Sequence, residues 1–164
     1  MSKLRRRMRQ LVDWRAAVWA GIISGAVFLI IAMALTAVYV GSPWVVTRLL
    51  ASVLLGSGVL PPPATFTAVT FLVSLILNFL LSVAFACTIA FVLHRWGLVV
   101  GILGGALFGL GLYAINFYTL SYFFPWFFPL KSWIMVVAHV VFGALAGGTY
   151  EALEVETFVP EKES

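Results

Sequence analysis

The residues that could support chemistry inside this chain are few, and they are polar rather than charged. His139 lies about seven residues into the last apolar segment, while Asn78, Tyr113 and Asn116 lie within the two apolar segments before it. A histidine at such a depth can share a hydrogen bond, relay protons, bind a polar solute or ligate a porphyrin metal. We expect a neutral histidine that hydrogen-bonds to one of the other three residues. The alternative is that this polar site relays protons or binds a polar solute, and the third possibility is that His139 ligates a metal.

The sequence lacks the common patterns of catalytic and metal-binding sites. Cys87 is the only cysteine, so an intrachain disulfide and a cysteine-based metal cluster are excluded. There is no HExxH motif, no GxSxG elbow and no phosphate-binding glycine loop, and the apolar segments contain no pair of carboxylates. We therefore predict no catalytic residue, no metal and no cofactor. An enzyme that acts on a lipid or quinone is the weakest of the alternatives.

The composition requires lipid as the outer solvent of the protein. Hydrophobic residues make up 63% of the chain and charged residues 10%, whereas about a quarter of a soluble domain is charged. The formal charge of +4 arises largely from a basic arm before the first apolar segment. Such an arm beside a membrane segment indicates topology and contact with anionic lipids, and we predict no nucleic-acid binding. The arm contains Lys3, Arg5, Arg6, Arg7, Arg9 and Arg15.

Four apolar segments are long enough to span a bilayer, for which about 20 residues suffice. They run from about Trp14 to Val40, Ala64 to Leu93, Gly97 to Tyr118 and Lys131 to Ala152. A shorter segment at 44–60 ends at a triple proline and is predicted to be an interfacial or re-entrant helix. The predicted fold is an all-α integral membrane bundle of four transmembrane helices. It comprises a basic arm (1–13), one transmembrane domain (14–152) and an acidic tail (153–164).

Four crossings place both chain termini on one side of the membrane, and the basic residues predict which side. Eight lie on the side of the termini, against Arg48 and Lys131 on the other, which predicts that both termini are cytoplasmic. On the far side, Trp44, Arg48 and Trp126 are expected to contact lipid head groups or a partner. Glu151 and Glu154, next to the tail, are expected to form a solvated face.

Small residues at four-residue spacing predict where helices pack closely, because hydrophobic burial does not drive association within lipid. Each such stripe lies along one face of its predicted helix. The expected contacts are either within the chain or between chains. The glycines of these stripes are Gly21 and Gly25, then Gly97, Gly101, Gly105 and Gly109, then Gly143 and Gly147.

At Gly41-Ser42-Pro43-Trp44 and at 60–66 (LPPPATF), the chain resembles small uncharacterised bacterial membrane proteins of four helices. Some of those proteins carry the label sodium:proline symporter. The resemblance implies a multi-pass protein of the bacterial inner (plasma) membrane with this architecture. The shared motifs are structural, and they assign no activity.

Two hypotheses of function follow from the sequence. The first is a non-catalytic accessory or scaffold subunit that packs against other membrane subunits, or against copies of itself, through its glycine faces and aromatic loop. The alternative is a small self-associating channel or transporter whose polar site contains His139, Asn78 and Asn116.

Overall fold

The structure is a computed structural model that describes residues 8–160. Most of the predicted basic arm, with Lys3 and Arg5 to Arg7, lies outside the described residues, as does Lys162 in the tail. The helices account for most of the remaining chain. The predicted bundle of four apolar helices, each long enough to cross a membrane, is confirmed, together with a shorter helix between the first two.

The helices follow one another with short connections. The four long ones are α1 (Trp14–Val40), α3 (Ala68–Leu93), α4 (Gly97–Phe123) and α5 (Trp133–Leu153), and the short one is α2 (Trp44–Leu55). Single 3₁₀ segments at Ser57–Val59 and Pro125–Leu130 lie in the connections after α2 and α4. Two short strands, β1 (Met8–Leu11) and β2 (Thr157–Pro160), flank the helices in sequence. We call the end where α1 begins and α5 ends the terminal end, and the opposite end, which includes α2, the capped end.

Local signals determine the bounds of α1, which agree with the prediction. At its start, the carboxylate of Asp13 accepts hydrogen bonds from the backbone amides of Arg15 (3.0 Å) and Ala16 (3.1 Å), as a helix N-cap does. At its end, Gly41 has a φ of +85°, in the left-handed region that glycine adopts without strain. Both signals lie within a few residues of the helix and are visible in the sequence.

Two other predicted bounds were displaced by several residues. α3 begins at Ala68 rather than Ala64, because Thr67 before it is extended and the triple proline cannot donate backbone hydrogen bonds. α4 continues to Phe123, beyond the predicted end at Tyr118, and stops just before Pro125. The residue that precedes a proline is disfavoured in a helix, so this proline gives α4 its natural limit.

The long helices pack one against the next in the order α3, α1, α5 and α4. The contact between α4 and α5 is the most extensive, and α1 packs against α5 at least as extensively as against α3. α3 and α4 are consecutive in the chain, yet they touch each other far less than α3 touches α1 or α4 touches α5. The bundle is therefore least closed on the side between α3 and α4.

Glycines allow the backbones of α4 and α5 to approach each other. A methyl group built on Gly105 would overlap the carbonyl oxygen of Gly143, and one on Gly143 would overlap that of Gly105. A methyl on Gly147 would overlap the carbonyl oxygen of Gly101, and one on Gly109 would overlap that of His139. An α-hydrogen of each of these four glycines thus points at a carbonyl across the interface, a weak contact worth about 0.5–1 kcal/mol.

Gly97 lies outside this interface, although the spacing placed it in the same stripe. It begins α4 with a φ of +75°, and a methyl group built there would meet no atom within 4 Å. Its role is to let the chain turn between α3 and α4, since a side chain is strained at this φ. Four-residue spacing alone could not distinguish a helix start from a packing position.

The contact between α1 and α3 combines glycine packing with a hydrogen bond. A methyl group on Gly21 would lie 2.6 Å from the α-carbon of Val83, and one on Gly25 would lie 2.6 Å from the β-carbon of Ser82. The side-chain amide of Asn78 donates to the carbonyl oxygen of Gly25 at 3.0 Å. Asn78 and Ser82, two buried polar residues of α3, therefore face α1.

A two-stranded antiparallel ribbon, which was not predicted from the sequence, joins the two segments that flank the helices. β1 pairs with β2 from Met8 opposite Pro160 to Leu11 opposite Thr157. Asp13 supports the junction, because its carboxylate also accepts from the backbone amide of Val155 at 3.2 Å. Hydrogen bonds from backbone amides, that of Ala16 foremost, hold the pKa of the Asp13 carboxyl below its usual value against the opposing effect of burial.

The predicted solvated face at Glu151 and Glu154 differs in the structure. One carboxylate oxygen of each residue is buried and has no hydrogen-bond partner within residues 8–160. The side chain of Glu151 lies against Gly101, whose missing side chain leaves room for it. The close approach of α4 and α5 thus continues to the terminal end and covers part of this acidic pair.

Candidate functional site

His139 lies in the second turn of α5, where it is 6% exposed. Its Nδ1 lies 2.8 Å from the carbonyl oxygen of Met135, one turn earlier. A carbonyl can only accept, so the ring proton is assigned to Nδ1, and Nε2 carries a lone pair. The side-chain nitrogen of Asn116 lies 3.4 Å from Nε2, close to the limit of a hydrogen bond.

Three aromatic rings surround the imidazole. Phe28 of α1 contacts it edge-on, with 4.9 Å between ring centroids. Phe117 and Tyr113 of α4 pack against it at 5.6 Å and 5.8 Å. These rings hold the imidazole in one orientation and keep Nε2 in largely apolar surroundings.

A cavity of about 100 Å³ adjoins His139. Asn78, Ser82, Asn116 and His139 contribute polar groups to its walls, and the other lining residues are apolar. Its walls extend from about the middle of the four long helices toward the capped end. Asn78, Ser82 and His139 are all at most 6% exposed, so the cavity contains three deeply buried polar side chains in an apolar setting. Such a cavity, with a few convergent polar groups, is the usual form of a small-molecule site.

The short helix α2 covers the cavity at the capped end. Val46 and Leu49, one turn apart on α2, line the cavity, and both are buried. The 3₁₀ segment after α4 adds Phe127 to the wall, and the indole of Trp126 donates to the hydroxyl of Ser52 on α2 at 2.9 Å. A hydrogen bond therefore joins α2 to the 3₁₀ segment at the capped end of the cavity.

Arg48 binds the connection that follows α2. Its guanidinium donates to the carbonyl oxygens of Thr65 (3.0 Å), Val59 (3.1 Å) and Pro61 (3.3 Å), and to the hydroxyl of Thr65. Trp44, at the start of α2, packs against Phe66 with 4.9 Å between centroids. Trp44, Arg48 and Trp126 therefore make contacts within the chain, whereas the sequence predicted that they contact lipid head groups or a partner.

The cavity adjoins the loosely packed side between α3 and α4. At the turn between these helices, Leu93 packs against Gly104. Farther along, Leu81 lines the cavity and is also 37% exposed, so the same side chain faces both the cavity and the outside of the bundle. In a bilayer, the outside at this depth is lipid.

The four polar residues singled out in the sequence come together here. Asn78, Asn116 and His139 line the same cavity, and Tyr113 packs on His139 without lining it. The contributions of Phe28 and of α2 to the site were not predicted from the sequence. The three-residue spacing of Val46 and Leu49 gives a hint of an inward face on α2, whereas nothing in the sequence distinguishes Phe28 from other apolar residues.

The walls of the cavity offer hydrogen bonds but no charge and no strong nucleophile. None of the lining residues is Asp, Glu, Lys, Arg or Cys. Within residues 8–160, no group of three or more His, Cys, Asp or Glu side chains could hold a metal ion. The arrangement can bind a neutral molecule and orient it. Comparisons with family models, curated proteins and solved structures find no match to this chain.

Proposed function

We propose that this chain is a non-catalytic integral membrane protein that binds a small amphiphilic molecule from the bilayer in the cavity beside His139. The observation that carries the proposal is a set of buried hydrogen-bonding groups in an otherwise apolar cavity that adjoins the lipid-facing side of the bundle. Burying polar groups is unfavourable unless they find partners. A bound molecule would supply those partners and place its apolar part against the remaining walls.

Lipid analysis of the purified protein tests this proposal. Leu81→Trp enlarges the side chain beside the cavity, while Leu80→Trp makes the same change at a neighbouring position that is 66% exposed and does not line it. We expect wild type and Leu80→Trp to retain a specific molecule through gentle purification, and Leu81→Trp to lose it. The same molecules in equal amounts with all three folded proteins would contradict the proposal.

An accessory-subunit role is the second candidate, and α4 favours it. This helix is the least buried of the four long helices, and a methyl group on Gly111 would meet no atom within 4 Å. A transmembrane helix of another subunit could pack there. Cross-linking from a photoreactive residue at Gly111 in native membranes would then capture a defined protein, whereas labelling of lipid alone would count against this role.

A self-associating channel or transporter gains less support. Toward the terminal end, the cavity stops near the middle of the four long helices, and at the capped end it is covered by α2. We expect no flux of protons or small ions through reconstituted protein, measured in liposomes with a trapped pH indicator. A flux that His139→Leu abolishes would make transport the preferred function.

A further inference from the structure

The hydrogen-bonding groups of the cavity restrict the chemistry of its ligand. Nε2 of His139 is an acceptor, because the ring proton is on Nδ1 and donates to Met135. The contact from Asn116 at 3.4 Å is long, so this lone pair is poorly satisfied. A ligand that presents an N–H or O–H donor would satisfy it.

The two asparagines add both kinds of hydrogen-bonding group. Asn78 uses one amide hydrogen on Gly25, and its carbonyl oxygen makes no hydrogen bond within residues 8–160. Asn116 retains amide hydrogens that can donate. A head group that both donates and accepts would therefore match the cavity better than one that only accepts, such as an ether.

Charge restricts the head group further. No ionised side chain lines the cavity, and a carboxylate, phosphate or ammonium group buried there would lack a counter-charge. The ligand's polar group is therefore neutral. A hydroxyl is the smallest neutral group that donates one hydrogen bond and accepts another.

Size and access indicate how the ligand lies. An engineered cavity of about 150 Å³ accommodates benzene, so a cavity of about 100 Å³ holds only the head of an amphiphile. The remainder must extend past Leu81, which faces both the cavity and the outside of the bundle. An aliphatic chain in that position would lie among the acyl chains of the bilayer.

We infer that the site takes a neutral, hydroxyl-bearing aliphatic molecule, whose hydroxyl donates to Nε2 of His139 and accepts from the side-chain amide of Asn116. This inference rests on the proposed function, because it names the class of molecule that the same cavity binds. A water molecule could satisfy the same groups. The apolar walls and the lipid-facing side favour an amphiphile over water.

Binding of three matched probes to wild-type protein in nanodiscs tests the inference: hexadecan-1-ol, its methyl ether and hexadecanoic acid. Loss of one hydrogen bond, about 1.4 kcal/mol, corresponds to roughly tenfold weaker binding. We expect the alcohol to bind about tenfold more tightly than the ether and more tightly than the acid. In His139→Leu, if it folds, the preference for the alcohol over the ether should fall toward onefold.

Nitrogen NMR of protein labelled at its histidines gives a second measurement that needs no variant. His94 is the internal reference, since its Nδ1 lies near a carbonyl and its Nε2 near a donor, as in His139, but it does not line the cavity. The alcohol should shift Nε2 of His139 and leave His94 unchanged, and the ether should shift neither.

The outcomes separate this inference from the proposed function. Equal binding of alcohol and ether, or tighter binding of the acid, would overturn the hydroxyl inference and leave a cavity that binds amphiphiles. An alcohol that binds without shifting Nε2 of His139 would also overturn it. If none of the three probes binds and no molecule co-purifies, the proposed function itself fails.

Discussion

The glycine contact between α4 and α5 gives a sharp quantitative prediction. Gly105→Ala adds a methyl group at a position where it would overlap the carbonyl oxygen of Gly143. Gly111→Ala adds the same group six residues later on the same helix, where it would meet no atom within 4 Å. The two variants share the change in helix propensity, about 1 kcal/mol in favour of alanine in water. Their difference isolates the packing.

The expected difference in the free energy of unfolding is about 1–3 kcal/mol, the usual cost of overpacking a close contact. Part of it comes from the lost hydrogen contact to the carbonyl, worth about 0.5–1 kcal/mol. The rest comes from moving two helices apart. Because Gly143 faces Gly105 in return, Gly143→Ala should destabilise by a similar amount, and the two substitutions should not be additive.

Unfolding in mixed micelles with increasing dodecyl sulfate, followed by circular dichroism, would measure these differences. Gly111→Ala should match or slightly exceed wild type in stability, and Gly105→Ala should unfold at a lower fraction of dodecyl sulfate. Gly105→Leu should lose the folded bundle. If Gly105→Ala and Gly111→Ala agree to within about 0.5 kcal/mol, the spread of ordinary surface substitutions, the two backbones are not in contact at this point.

Three further predictions concern the two ends of the bundle. Trp126→Phe removes the hydrogen bond to Ser52 and should lower the free energy of unfolding by about 0.5–1.5 kcal/mol, measured in the same micelles; no change would mean that the indole bond is not formed. Folding lowers the pKa of the Asp13 carboxyl. The carboxylate therefore stabilises the fold at a pH above its pKa in the unfolded chain, and this stabilisation is lost as the pH falls through its pKa in the folded protein. The decrease in the free energy of unfolding on acidification should be smaller in Asp13→Asn than in wild type, and identical pH profiles for the two proteins would contradict this. In protein without the native cysteine, a membrane-impermeant thiol reagent applied outside cells should label Ser57→Cys but not Glu156→Cys, and the reverse pattern would overturn the predicted cytoplasmic termini.

The parts of the fold that were predictable are those determined by local signals. The bounds of α1 follow from an N-cap aspartate and a glycine with proline nearby, and the spans follow from length and hydropathy. The start of α3 was misplaced because hydropathy continues through Ala64 to Thr67, although the backbone there is extended. Hydropathy measures the transfer of side chains to lipid and carries no information about backbone conformation.

The site was only partly predictable, for a related reason. The sequence predicted a hydrogen bond from His139 to Asn78, Tyr113 or Asn116, but the position of a residue along its segment does not say which helices are neighbours. The packing order α3, α1, α5, α4 is determined by tertiary contacts, and it leaves the open side beside Leu81. The contribution of Phe28 depends on the same packing order.

The terminal ribbon has a consequence for the biogenesis of this protein in the membrane. Met8 and Pro160 are separated by 160 − 8 = 152 positions, and closing a flexible loop of that length costs about 4 kcal/mol. Four residues per strand offer little to offset this cost until the helices have brought the chain ends together. The ribbon therefore forms last during insertion. It also requires an even number of crossings, since a helix that failed to insert would leave β1 and β2 in different compartments, and the ribbon would remain open on a misinserted chain.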